Sequence, residues 1–191
     1  NWTISTWFSA PLPIVGVDDF HALFNEYFEP YVAFNFDQKS LTLFDGSSFS
    51  DTSYVFSNSP GWHHLVVKSS PSGMQFYMNG SIVDSLNKGV VLNIEAIGNL
   101  FAGNGLFAEK IDDFRVYSDG LSITEITDLY GNGDGDFGVH PYENFPPEFD
   151  NIPEVIVPKN PVVYWTFNEL NGTDVRDDSG LENHGYVENN T

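Results

Sequence analysis

The residues that could do chemistry in this chain are few. His63 and His64 stand side by side in Gly61-Trp62-His63-His64-Leu65-Val66-Val67, a spacing that invites acid–base work or a metal pair. Neighbouring residues of a strand point to opposite faces, so the two imidazoles cannot converge there and a structural role is expected. Glycoside hydrolysis needs two carboxyl groups flanking one bond. The stretch Asn93-Ile94-Glu95-Ala96-Ile97 offers a single Glu, so catalysis is not expected. Asn132-Gly133-Asp134-Gly135-Asp136, with Glu143 at the twelfth position, imitates a calcium loop, but Phe137 takes the sixth position where the sharp turn needs Gly, and Pro141 lies inside. That run reads as a solvated Gly-Asp turn. Sequons at Asn1, Asn79, Asn171 and Asn189 could carry N-glycans on a secretory route. Aromatic side chains could stack on sugars, yet the sequence singles out no sugar platform among them.

The elements that must position these residues follow from composition and pattern. The 191 residues are 41% hydrophobic and 16% aromatic, with 17 Phe and 9 Tyr, enough for a sizeable core. Acidic residues outnumber basic ones 27 to 7, and the formal charge of -20 repels nucleic acid and anionic headgroups. Such an excess of carboxylates either collects hard divalent cations or keeps the surface solvated. Cys is absent, so packing, ladders or a hard ion must supply stability. No apolar run approaches the length of a membrane helix, and no insertion into a membrane is expected. With no signal peptide before Asn1 and no initiator Met, the chain reads as a mature or excised segment.

Short aromatic and β-branched stretches recur at 2–8, 31–36, 40–44, 53–56, 63–68, 74–78, 114–117 and 162–167, the spacing of an all-β sandwich with antiparallel strands. Asn79-Gly80 between Phe76-Tyr77-Met78 and Ile82-Val83 predicts a two-residue hairpin, because both central residues of a type I′ turn need positive φ. Two helices are expected. One spans 17–28, apolar at Phe20, Leu23, Phe24 and Tyr27; the other spans 122–130, where Ser122 and Glu125 form a capping box. Residues 139–161 carry six prolines and read as a stiff linker or surface strap.

The ordered series Gly61-Trp62-His63-His64-Leu65-Val66-Val67, Phe76-Tyr77-Met78-Asn79-Gly80, Ile97-Gly98, Ile111-Asp112-Asp113-Phe114-Arg115-Val116-Tyr117, Leu121-Ser122, Glu125-Ile126 and Leu129-Tyr130 resembles the laminin-G-like, concanavalin-type jelly-roll family. The resemblance covers 61–130, with 2–8 similar to the strand that precedes it. It implies a two-sheet antiparallel sandwich with Trp62, Tyr77, Phe114 and Val116 as core anchors. Val163-Tyr164-Trp165-Thr166-Phe167-Asn168-Glu169, followed by Asp177-Asp178-Ser179-Gly180 and Asn183-His184-Gly185, is similar to the opening strand of the same family, yet it comes last here.

Three arrangements account for that order: a circular permutation, a window on tandem repeats, or a subunit whose tail donates its strand to a neighbour. A lone edge strand leaves backbone groups and Trp165 without cover, which favours a partner. Tyr164, Trp165 and Phe167 are therefore expected at an interface with copies of the chain or neighbouring repeats. The resemblance also implies one structural Ca²⁺ held by Asp112, Asn168 and Asp177.

Together these readings predict a laminin-G-like sandwich over 1–138 that lacks its opening strands. The linker 139–161 and a displaced opening strand in 162–191, paired with a neighbour, follow it. The expected function is that of a non-catalytic extracellular structural protein, a subunit or repeat of a filament or surface fibre. The alternative is a lectin-like, glycan-binding or adhesion module.

Overall fold

The computed structural model describes residues 1–12, 20–25, 30–35, 40–91, 96–97, 108, 110–131, 159–169 and 173–187. In chain order the elements are β1 (Trp2–Ala10), β2 (Phe20–Asn25), β3 (Tyr31–Asn35), β4 (Ser40–Phe44), β5 (Phe49–Val55), β6 (Gly61–Ser70), β7 (Gly73–Met78), β8 (Ser81–Leu86), β9 (Ala96–Ile97), β10 (Ile111–Tyr117), α1 (Ile123–Tyr130), β11 (Val163–Trp165), β12 (Asp174–Val175) and β13 (Gly185–Tyr186). They form a six-stranded sheet in the order β11-β10-β1-β6-β7-β8, a five-stranded sheet in the order β5-β4-β3-β2-β9, and the small ribbon β12-β13.

Period-2 alternation builds the core. On β1 and β6, Ile4 and Phe8 face the same interior as Leu65 and Val67, and across the gap β3 and β4 supply Val32, Phe34, Leu41 and Leu43. Phe8 and Phe34 meet at 5.7 Å and Phe8 and Phe56 at 5.5 Å, so rings from both sheets interlock at the centre. Burying each such side chain stabilises the sandwich by about 1.5–3 kcal/mol. At the β5/β8 side Asp84 ties the two sheets together, accepting the Ser53 N–H at 2.5 Å and the Ser53 hydroxyl at 2.7 Å.

The outer face of the six-stranded sheet is covered by α1. Ser122 accepts the Glu125 N–H at 3.2 Å while Glu125 accepts the Ser122 N–H at 2.6 Å, so the expected capping box starts the helix. Ile126 and Leu129 on its apolar side pack on Val66, Tyr77, Tyr117 and Leu121. Tyr77 therefore anchors this outer cluster, while Phe114 anchors the inner core. Trp62 and Val116 are only half-buried, and Trp62 is a member of neither cluster.

The β7–β8 turn has Asn79 at φ 51 and Gly80 at φ 73, the two positive values the sequence predicts. The helix expected over 17–28 is corrected: Phe20–Asn25 is a strand paired with β3 and β9. Its register shifts between Ala22 and Phe24, and an extra residue of that kind turns period-2 spacing into the three-and-four spacing of a helix face.

The segment expected to pair with a neighbour is paired within its own chain. Phe114, Arg115 and Val116 of β10 lie opposite Trp165, Tyr164 and Val163 of β11, so β11 occupies the edge that β10 would otherwise leave open.

Candidate functional site

On β3 and β4 the inward positions are Val32, Phe34, Leu41 and Leu43, so Tyr31 and Phe44 face outward from the five-stranded sheet. Tyr31 lies opposite Phe44, and Phe44 lies opposite Phe49 of β5. The result is a row of three rings across three strands. Centroids are 5.2 Å apart for Tyr31–Phe44 and 4.9 Å for Phe44–Phe49, with Tyr31–Phe49 edge-on at 6.2 Å. Phe49 is 48% exposed, and Tyr31 and Phe44 are half-buried. Burial pushes the Tyr31 hydroxyl above its usual pKa, so it stays protonated as a donor.

The β4–β5 turn gives this row a polar rim. Asp45 accepts the N–H and hydroxyl of Ser47, each at 2.8 Å, and the N–H and hydroxyl of Ser48 at 2.8 and 3.0 Å. Lys88 reaches the same carboxylate. The Asp45 carboxylate is taken up by the turn, which leaves the exposed Ser47, Ser48 and Lys88 along the apolar stripe, an edge that suits a ligand with a C–H face and hydroxyl edges. The sequence does not single out these three residues, because only strand register brings them together.

A second cluster is polar and buried. His64 is 1% exposed, between Trp7 at 5.0 Å and Tyr130 at 6.0 Å, with Nε2 at 2.8 Å from the Ser5 hydroxyl. Burial, and then the positive charge of Arg115, lowers its pKa to about 3, so the ring is neutral at pH 7. Among the described residues Nδ1 has no hydrogen-bond partner, so the proton belongs on Nε2, where Ser5 can accept it. His63, on the other face, packs on Phe8 at 5.8 Å and Phe56 at 4.9 Å. The imidazoles are divided as the alternation requires, and His64 is sealed from any substrate.

The buried carboxylates are committed too. Asp113 accepts from the Arg115 guanidinium at 2.8 Å, both side chains being under 10% exposed. Asp177, 4% exposed, receives four donors: the N–H of Tyr164 at 2.8 Å, the N–H of Ser179 at 3.0 Å, the Ser179 hydroxyl at 2.7 Å and the N–H of Asn183 at 2.8 Å. Burial acts to raise its pKa, but these donors outweigh burial and hold it below the usual carboxylate value. Four hydrogens directed at one carboxylate do not fit a calcium ligand, whose lone pairs must face the ion. Of the other two residues expected to hold calcium, Asp112 is half-buried and accepts the Asp113 N–H at 2.8 Å, and Asn168 is exposed. Among the described residues, no three His, Cys, Asp or Glu side chains form a group suited to a metal.

The residues expected at an interface with a neighbour are applied to this chain's own sheet. Arg115 sits 4.2 Å from the ring centre of Tyr164 and donates to its hydroxyl at 3.0 Å. Trp165 stacks on Phe114 at 5.9 Å, meets Phe167 edge-on at 6.5 Å and donates its indole N–H to the Asn183 carbonyl at 2.9 Å. Of the sequon residues, Asn1 is exposed. The Asn79 amide folds back onto β6, its Oδ1 accepting the His64 N–H at 2.9 Å and its Nδ2 lying 3.4 Å from His63 Nδ1. Asn171 and Asn189 lie outside the described residues, as do Glu95 and the run 132–136 with Glu143. Among the described residues no helix is long and apolar enough to cross a membrane.

Comparison with known proteins places this arrangement. Residues 1–127 match a laminin-G family model described as the concanavalin A-like lectin/glucanases superfamily. None of the curated protein sequences matches the chain. Among solved structures, a putative carbohydrate binding protein from Bacteroides ovatus superposes with a TM-score of 0.61 at 13% identity, covering 95% of this chain and 51% of that one. A structure of botulinum neurotoxin type C superposes with a TM-score of 0.50 at 15% identity, over 68% of this chain and 35% of that chain. A heptameric SAP-like pentraxin from Limulus polyphemus gives 0.48 at 15% identity, over 68% and 69%. The chain thus spans about half of the Bacteroides protein and about a third of the toxin chain. At these identities the likeness is one of fold. Sequence match, strand order and core agree, and the chain belongs to the concanavalin A-like lectin/glucanases superfamily as a laminin-G-like sandwich.

Proposed function

We propose that the protein is a non-catalytic, lectin-like module of an extracellular protein, binding carbohydrate on the outward row Tyr31–Phe44–Phe49. The observation that carries this reading is the register that sets three rings side by side on one sheet face, with the Asp45 turn and Lys88 along their edge. The C–H face of a pyranose would lie on the rings and its hydroxyls would meet the polar rim. Support comes from the Bacteroides ovatus protein's description as a putative carbohydrate binding protein and from the toxin's described interaction with two ganglioside molecules. The absence of turnover draws on Asp113, buried and paired through Oδ2 with Arg115, on Asp177, which takes four donors, and on the sealing of His64. A glycan array probed with the full chain and with Phe49→Ala tests it. Binding that the substitution weakens about tenfold or more is expected; array-wide silence, or binding indifferent to Phe49, would overturn it.

A second reading, a structural subunit or repeat of a filament or surface fibre, draws on a separate observation. β11 forms the edge of the six-stranded sheet, the side on which a further strand could pair. Fibres seen by electron microscopy at high protein concentration would support it, and a constant monomer mass in light scattering would oppose it.

A further inference from the structure

We infer that the edge of β10 is an interchangeable seat, able to take the β11-bearing module of a second copy of this chain as readily as its own. The module, residues 159–187, is held together from within. Asp177 gathers donors from Tyr164, Ser179 and Asn183; the Asn183 amide donates to the Val162 carbonyl at 2.7 Å; Trp165 donates to Asn183; and the Asp178 N–H donates to the Tyr164 carbonyl at 2.8 Å. The β12–β13 ribbon closes the far end. These bonds are made within the module itself and do not depend on which β10 it meets.

Its attachment to the rest of the chain runs through β10 and through Trp165 and Phe167, which pack against the inner core. Three residues of β11 pair with three of β10, the Val162 N–H donates to the Val116 carbonyl at 2.7 Å, Trp165 lies on Phe114, and Tyr164 lies under Arg115. Lys159 adds a hydrogen bond to the Gly120 carbonyl at 2.7 Å and ion pairs of 3.6 and 3.7 Å to Asp119 and Glu125. Every one of these contacts survives if the module comes from another copy, because none depends on the covalent link through 132–158. That stretch, fully extended, reaches up to roughly 90 Å, so covalent connection does not dictate which β10 the module meets. What favours the chain's own edge is the effective concentration that a covalent link supplies, on the order of millimolar. Exchange therefore grows as free chain approaches that range, or where copies are crowded on a surface. The inference rests on the assembly reading only for its larger consequence, since reciprocal exchange closes a dimer without a fibre.

The absence of Cys makes the test clean. Full-length Val116→Cys and Val163→Cys chains, mixed and oxidised across a concentration series, form a disulfide between positions 116 and 163 only through exchange. The double variant, Val116→Cys with Val163→Cys, shows whether the two thiols meet within one chain. The expected result is closure of the double variant at low concentration and a two-chain 116–163 product in the mixture that rises at least tenfold between micromolar and millimolar protein. A mixture that yields no such product while the double variant closes would overturn the inference, and failure of the double variant to close would overturn the β10–β11 seat itself. Fibres found without a 116–163 product would mean that assembly uses another contact.

Discussion

Arg115 on β10 lies 4.2 Å from the ring centre of Tyr164 on β11 while donating to its hydroxyl at 3.0 Å, so one guanidinium fixes the displaced strand by face and by edge. The same guanidinium holds Asp113 at 2.8 Å. Tyr164→Phe keeps the ring and loses one hydrogen bond, a cost of about 1 kcal/mol. Tyr164→Ala loses the cation–π contact as well, for a total of roughly 2–3 kcal/mol. Hydrogen exchange of the Val163–Trp165 amides should accelerate in that order, with the β6 and β7 amides unchanged.

Asp177 is the hub of the C-terminal module, and Asp177→Ala strands four donors. The expected cost is about 2–3 kcal/mol, confined to 159–187. Because its folded pKa is depressed, the stability it adds is present above the unfolded value of about 4 and is lost as pH falls through the folded pKa. Since four donors already take up its lone pairs, chelation should leave the melting temperature unchanged. An ion held by Asp112, Asn168 and Asp177 would instead make melting rise with added calcium.

His64 sets a different acid window. It stays neutral in the folded protein down to about pH 3, whereas the unfolded chain protonates it near 6.5, so the unfolded state binds the extra proton in between. Stability should therefore fall, by a few kcal/mol, as pH drops from about 6.5 towards 3. His64→Gln should flatten that part of the profile in denaturant titrations.

Gly80 combines φ 73 with a close approach: a Cβ built there would lie 2.9 Å from Tyr130 Cδ1. Gly80→Ala meets both the left-handed backbone penalty and the Tyr130 ring, which itself stacks on Trp7 at 5.7 Å. A loss of roughly 1–3 kcal/mol is expected, read as a lower midpoint in urea.

Features written in contiguous residues were legible in the sequence. The Asn79-Gly80 hairpin and the Ser122/Glu125 box depend on local backbone chemistry, and both stand in the structure. Features that depend on distant pairing were not. The shift at Ala22/Phe24 disguised β2 as a helix face, and nothing near Tyr164 in sequence reveals that its partner is Arg115 of the same chain. Tyr31, Phe44 and Phe49 are unremarkable in three separate stretches, and only the register of β3, β4 and β5 makes them a row.

The central claim is that this row binds sugar. Titration calorimetry of the strongest array glycan into the full chain, Phe49→Ala and Val55→Ala tests it most directly, since Phe49 and Val55 are both exposed on β5. The account predicts that Phe49→Ala weakens binding about tenfold or more, roughly 1.5 kcal/mol, and that Val55→Ala leaves it unchanged. Equal affinities for all three proteins would contradict it.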